Sequence, residues 1–285
     1  MGTAIGIDIR DPFIVGSAVD RVFAYLRGVD GRFSTYREDS EISRLARGEM
    51  QESDCSFDVR QVLALCDQLR VTTNGYFDAR AHRPDGHLDP TGVVKGWAID
   101  EAAWMLDSAG ACNFAINAGG DIVARGRPEP GRAWRVGIRH PEQPDKVTVV
   151  LEVQDAAVAT SATYERGSHI VDPHTSLPAD GVLSVSVVGP TLTFADAYAT
   201  AAFAMGREGP AWVAGQRGYG AYAITPDHRA VWTPLVDRLI ASEPGPPRVT
   251  LNAGVRRRAP ARSPSGRSAS STRTRSEASG SRRPS

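Results

Sequence analysis

The sequence predicts an α+β fold of mostly antiparallel strands with packed helices, followed by a structureless tail. Three observations carry that expectation. Short apolar runs recur across hairpin-sized gaps, as in Phe114–Asn117 and Ile122–Arg125 around Ala118-Gly119-Gly120-Asp121. Other stretches repeat their apolar residues every three to four positions, which suits helices buried on one side. From about Pro244 the chain turns Arg/Ser/Pro-rich with almost no large apolar residue, a composition that cannot build a core. Residues 1–243 are thus expected to fold as one domain and residues 244–285 to stay disordered.

Taken in order, residues 3–9 (TAIGIDI) alternate as a short strand. Val15–Val29 carries Val19, Val22, Phe23 and Leu26 at helical spacing, with Gly31 as a stop. Asp39 or Ser40 can cap a short helix bearing Ile42 and Leu45, and Asp58 a longer one bearing Val59, Val62, Leu63, Cys66 and Leu69. His82 and His87 flank Pro84-Asp85-Gly86 and read as a turn, not a metal cluster. Asp89-Pro90-Thr91-Gly92 leads into a helix from Val94 to Ser108. A Gly-bearing loop entering a helix beside Lys95 favours an anion such as a phosphate. Trp134–Arg139 and Val147–Val153 form a further hairpin, and His169–Val171 and Leu183–Val188 further strands. A helix over Thr193–Met205, a short one over Pro210–Gln216 and a returning pair, Ala221–Thr225 and Val231–Thr233, complete the domain.

The totals exclude several classes. At 285 residues, 41% hydrophobic and 23% charged, the chain has the composition of a soluble globular protein. The tail holds ten Arg against one Glu, so the net zero charge divides into +9 there and −9 over residues 1–243. An acidic folded part argues against specific nucleic-acid binding. Three cysteines without paired spacing suit a reducing, cytoplasmic setting. MGTAIGIDIRDPF has neither the basic region nor the apolar run of a signal peptide, and no membrane span is expected.

The densest chemistry lies between Val158 and Gly206, where Ser, Thr, Tyr, Arg, His and Asp crowd together ahead of a helix. Asp196 and Thr200 sit four apart on that helix, so their oxygens point the same way, one turn apart. Two oxygen ligands on one face suit a hard divalent cation. The same spacing also fits a solvated Asp and a Thr bonded to its own backbone.

The order of these motifs resembles the ApbE family, the FAD:protein FMN transferases, from near the first residue to about Ile240. The resemblance runs through Met1-Gly2-Thr3, FSTYREDSEISRLA and Gly92-Val93-Val94-Lys95-Gly96-Trp97-Ala98-Ile99-Asp100. It continues through Asn117-Ala118-Gly119-Gly120-Asp121-Ile122, Ser161-Ala162-Thr163-Tyr164-Glu165-Arg166, His169-Ile170-Val171-Asp172-Pro173 and Ala195-Asp196-Ala197-Tyr198-Ala199-Thr200. It implies an α+β domain around a flavin-binding cleft. The implied enzyme uses Mg²⁺ to move the FMN half of FAD onto a Thr or Ser hydroxyl of an acceptor protein, releasing AMP. It further implies metal ligation by Asp196, Thr200 and the Gly92 carbonyl, and catalytic roles for Asp196 and for His169, which takes or orients the acceptor proton. Tyr36 and Tyr164 are expected on the flavin or adenine rings, and Asp100 and Asp121 as acceptors from ribose or base. Thr3, Lys95, Asn117, Gly119, Gly120, Ser161 and Arg166 complete the implied cofactor contacts.

This chain departs from the family at Pro90, Thr91, Ala162, Ser168 and Ser176. Thr91, Ala162 and Ser176 stand where the family carries Gly. Thr160-Ser161-Ala162-Thr163 looks like the Ser/Thr-Gly-Ala-Thr stretch of an acceptor, and is read here as a site loop. Hydrolysis of FAD to FMN and AMP, or flavin binding without turnover, are the competing functions.

Overall fold

Among the described residues, eight strands hydrogen-bond into one antiparallel sheet, in the order β1-β2-β3-β6-β9-β10-β11-β12. They are β1 (Ile5–Ile9), β2 (Phe114–Ala118), β3 (Asp121–Arg125), β6 (Ala156–Ala162), β9 (Ser184–Gly189), β10 (Gly220–Ile224), β11 (Ala230–Trp232) and β12 (Arg256–Arg258). Two small hairpins lie outside it, β4 (Trp134–Arg139) with β5 (Val147–Val153) and β7 (Val171–Asp172) with β8 (Leu177–Pro178). The computed structural model describes residues 2–12, 16–80, 88–163, 170–241 and 256–258. The expectations for Val15, His82, His87, Tyr164, Arg166, Ser168, His169 and most of the tail lie outside those residues. Within the tail, Arg256–Arg258 pairs with Ala230–Trp232 at the sheet's end.

Side-chain alternation along the strands sorts the core into two layers. On β9, Val185 and Val187 join the helices, while Val188 joins the other layer. On β10, Ala221 and Ala223 face the helices and Tyr222 and Ile224 face away. The helix layer holds α1 (Gly16–Phe33), α3 (Phe57–Thr72), α4 (Thr91–Ser108) and α5 (Leu192–Ala204). The opposite layer is closed by the β4–β5 hairpin and the short α7 (Pro234–Asp237).

Local chemistry explains most boundaries. Ser40 caps α2 (Glu41–Ala46) by accepting from the Ser43 N–H at 3.0 Å. At α3 the cap position is Ser56, not Asp58. The Glu41 carboxylate already accepts the Ser56 N–H at 2.6 Å, and Asp58 pairs with Arg32 at 2.6 Å. Helix α4 starts at Thr91, three residues before the expected Val94. The Asp89 carboxylate accepts the Thr91 N–H at 3.0 Å and anchors that start. Gly92 and Lys95 are therefore helical residues, and the expected glycine loop is the first turn of α4.

Strand β6 was not expected. The stretch that reads as a site loop, Thr160-Ser161-Ala162, is its final segment and pairs with Ser186, Val185 and Ser184 of β9. Both faces of β6 are covered, so its residues carry no apolar–polar alternation. Short α6 (Gly209–Ala214) packs on α5 where Gly209 approaches the Ala202 carbonyl too closely for any Cβ.

Candidate active site

The site forms where α4, α5, β3 and β6 converge. Helix α5 is almost wholly interior, with eleven of its thirteen residues buried. Its alanines let it lie close to α4 and to the sheet. At the α4–α5 crossing a Cβ on Gly96 would stand 2.6 Å from the Leu192 carbonyl oxygen, so only glycine fits. A glycine inside a helix costs about 1 kcal/mol relative to Ala, which makes Gly96 a sequence signal of close approach.

That approach brings charged groups together in the interior. Lys95 Nζ lies 2.5 Å from Asp121 Oδ2 and 3.6 Å from Asp196 Oδ2, and both carboxylates are almost fully buried. The other Asp121 oxygen accepts the Thr160 N–H at 3.0 Å, which fixes the carboxylate against β6. Nearby, Ser161 Oγ and Thr200 Oγ1 are 3.4 Å apart, joining β6 to α5. Two carboxylates facing one ammonium leave a formal charge of −1, with two hydroxyls alongside. Burying such charges is unfavourable unless they are paired, so the cluster is held by the scaffold around it.

The donors here are all oxygen and carry net negative charge, which fits a hard divalent cation such as Mg²⁺. Among the described residues no three His, Cys, Asp or Glu side chains form a metal-binding group. A cation here would thus draw on hydroxyl or carbonyl oxygens as well as carboxylates, in keeping with the reluctance of Mg²⁺ to shed all its waters.

The rim is the β2–β3 hairpin. Gly119 (φ +65°) and Gly120 (φ +105°) form its two-residue turn, and both need the left-handed region. The Gly120 N–H donates to Asn117 Oδ1 at 2.9 Å and the Gly119 N–H to the Ala4 carbonyl at 3.1 Å. Thr3 Oγ1 sits against Gly119 where a Cβ would be, so Thr3, Asn117, Gly119, Gly120 and Asp121 share one edge.

Other expected residues lie elsewhere or act otherwise. Tyr36 is 93% exposed. Gly92, by contrast, stands in the first turn of α4 one turn before Lys95, against the Phe77 ring. Asp100, expected as an acceptor from ribose or base, instead turns both oxygens to α5. It accepts the Leu192 N–H at 2.9 Å, the Thr193 N–H at 2.7 Å and the Thr193 hydroxyl at 2.5 Å. The interior contacts of Thr160 and Gly96 were missed, because they depend on elements distant in the chain.

A sequence model of the ApbE family matches residues 1–84 and 80–223. The chain belongs to the ApbE family. The FAD:protein FMN transferase of Escherichia coli K12 is 31% identical over 152 residues, which cover 50% of this chain and 43% of that protein. Its counterpart from Rhodobacter capsulatus is 38% identical over 199 residues, covering 66% of this chain and 38% of that protein. The chain thus spans less than half the length of these two relatives. The flavin transferase ApbE of Vibrio cholerae superposes with a TM-score of 0.69 at 26% identity, covering 79% of this chain and 91% of that one. The antiparallel sheet with its helices is the ApbE architecture. No described helix is long and apolar enough to cross a membrane.

The family context also gives meaning to two departures. Thr91 adopts ordinary helical torsions, so the missing glycine costs the α4 entry nothing there. Ser176 has φ +59°, so in the β7–β8 turn a side chain occupies a conformation suited to glycine.

Proposed function

We propose that this ApbE-family protein transfers the FMN half of FAD to a Ser or Thr hydroxyl of an acceptor protein. The observation that carries the reading is the buried Lys95–Asp121–Asp196 cluster beside Ser161 and Thr200, at the edge formed by the Gly119-Gly120 turn. Residues 1–243 serve as the transferase domain. Asp196 and Thr200, with a carbonyl from the first turn of α4 at Gly92, would hold Mg²⁺. When bound, such a cation neutralises charge on pyrophosphate oxygens.

The chain's own groups then have defined work. Asp121, pinned by Thr160, keeps the Lys95 ammonium at the site, where it can face a phosphate oxygen. The glycine turn offers a surface free of side chains for close approach of the dinucleotide. In the transfer, the acceptor oxygen forms a bond to the FMN phosphorus. The bond from that phosphorus to the bridging oxygen breaks, and AMP departs with that oxygen. The hydroxyl proton passes to a base, a role we assign to His169, whose ordinary pKa near 6.5 suits it. The acceptor carries a Ser/Thr-Gly-Ala-Thr-like segment. We read Thr160–Thr163 of this chain as part of the site and not as that acceptor, a reading supported by the pairing of Thr160, Ser161 and Ala162 in β6. Its free cysteines, Cys55, Cys66 and Cys112, agree with a reducing cytoplasm.

The test is to mix the protein with FAD, Mg²⁺ and a candidate acceptor. Covalent flavin on the acceptor, one AMP per flavin, supports transfer. AMP without covalent flavin means hydrolysis, and intact bound FAD means a binding module; either outcome overturns the proposal.

A further inference from the structure

We infer that Asp100 is a positioning residue that sets where α5 starts, and through α5 sets the place of Asp196 and Thr200. This rests on the cation reading of that site. The need arises at the helix terminus. The first four N–H groups of any helix lack partners within it. Thr191, at the cap position of α5, makes no capping bond through its side chain. Asp100, reaching across from α4, takes up that task with three hydrogen bonds to Leu192 and Thr193. Its negative charge also suits the positive end of the helix.

Beyond its start, α5 is held by Tyr198, whose ring meets Phe194, Trp212 and Tyr219, while most of its other buried positions are alanine. Ala195, Ala197, Ala199, Ala201, Ala202 and Ala204 are all buried. Their methyl groups make low ridges, unlike the interlocking of large side chains that fixes most helix pairs. Directional contacts then add to the register: Lys95–Asp196 and Ser161–Thr200 act within α5, and a separate set acts at its start. The Asp100 bonds and the Gly96–Leu192 approach all act on the first two residues of α5. A slip of one residue would move the helix about 1.5 Å along its axis and turn it by about 100°. Ligand distances at a metal tolerate only about 0.2 Å. One helix, α4, thus carries both controls: Asp100 fixes the start of α5, and Lys95 meets Asp196 one turn further along it.

The test measures Mn²⁺ binding by the electron paramagnetic resonance signal of the free ion, without FAD or acceptor. Asp100→Ala removes the cap, and Asp100→Asn keeps its size while presenting an amide donor to the α5 N–H groups. Asp11→Asn is the control, because Asp11 likewise accepts three backbone or side-chain N–H bonds, from Cys112 and Asn113, at the opposite end of the β1–β2 pair from the Gly119-Gly120 turn. Each variant is also followed by thermal unfolding. The expected result is Mn²⁺ affinity weakened tenfold or more in both Asp100 variants and within twofold of the parent in Asp11→Asn, even at equal loss of stability. A folded Asp100 variant that binds Mn²⁺ within twofold of the parent overturns the inference alone. If Asp100→Ala does not fold, Asp100→Asn decides. A parent that binds no Mn²⁺ overturns the cation reading itself.

Discussion

The two faces of the eight-stranded sheet are packed by opposite means. The face toward β4–β5 is filled with large side chains, including Trp134, Tyr222 and Trp232, the last two with rings 6.2 Å apart. Its indole N–H groups are satisfied singly, Trp134 by the Arg125 carbonyl and Trp232 by Asp237. The helix face is built at its centre from alanine and glycine, and there the backbones of α4 and α5 nearly touch. Bulk fills volume on one side. On the other, its absence lets the part-exposed Lys95 ammonium meet two buried carboxylates. The chemistry belongs to the small-residue seam of the helix face.

The comparison predicts that damage to the two faces will differ in kind. Asp196→Ala should lower FMN transfer by at least about 10²-fold with little change in unfolding temperature; retained activity in a kinetic assay would remove Asp196 from the site. Leu151→Ala, in the aromatic layer, should cost about 2–5 kcal/mol in denaturant unfolding while leaving kcat per folded molecule unchanged. A matching fall in kcat would erase the distinction between faces. Gly96→Ala should do both, costing about 1–3 kcal/mol through overpacking at Leu192 and weakening cation binding as α5 is pushed aside.

Smaller effects sharpen the picture. Ser176→Gly should stabilise the protein by about 1 kcal/mol, because it relieves a left-handed side chain in the β7–β8 turn. An unchanged or lower midpoint would mean that the Ser176 side chain makes up for its conformation. Burial in the helix layer pushes the Cys66 thiol up to about 12. At pH 8 it should therefore resist iodoacetamide while exposed Cys112 reacts, as peptide mass analysis would read.

Much of this was legible from local pattern. The amphipathic spacing of α1 and α3 and the Gly119-Gly120 turn each depend on near neighbours. So does the Asp196–Thr200 alignment on one helical face. Strand β6 was not legible, because Ala156–Ala162 is covered on both sides and holds few of the branched residues that mark strands. The role of Asp100 was hidden for a different reason. Its partners lie 92 and 93 positions away, and no local signal distinguishes a carboxylate that caps a distant helix from one that meets a ligand. Ser56 displaced Asp58 as the cap position of α3 through Glu41 and Arg32, which are again contacts between elements.

If the α4–α5 seam makes a cation site, diffraction from crystals soaked in Mn²⁺ will show an anomalous peak within bonding distance of the Asp196 carboxylate and the Thr200 hydroxyl. Saturating Mn²⁺ with no peak there, and Lys95 still between Asp121 and Asp196, would contradict it.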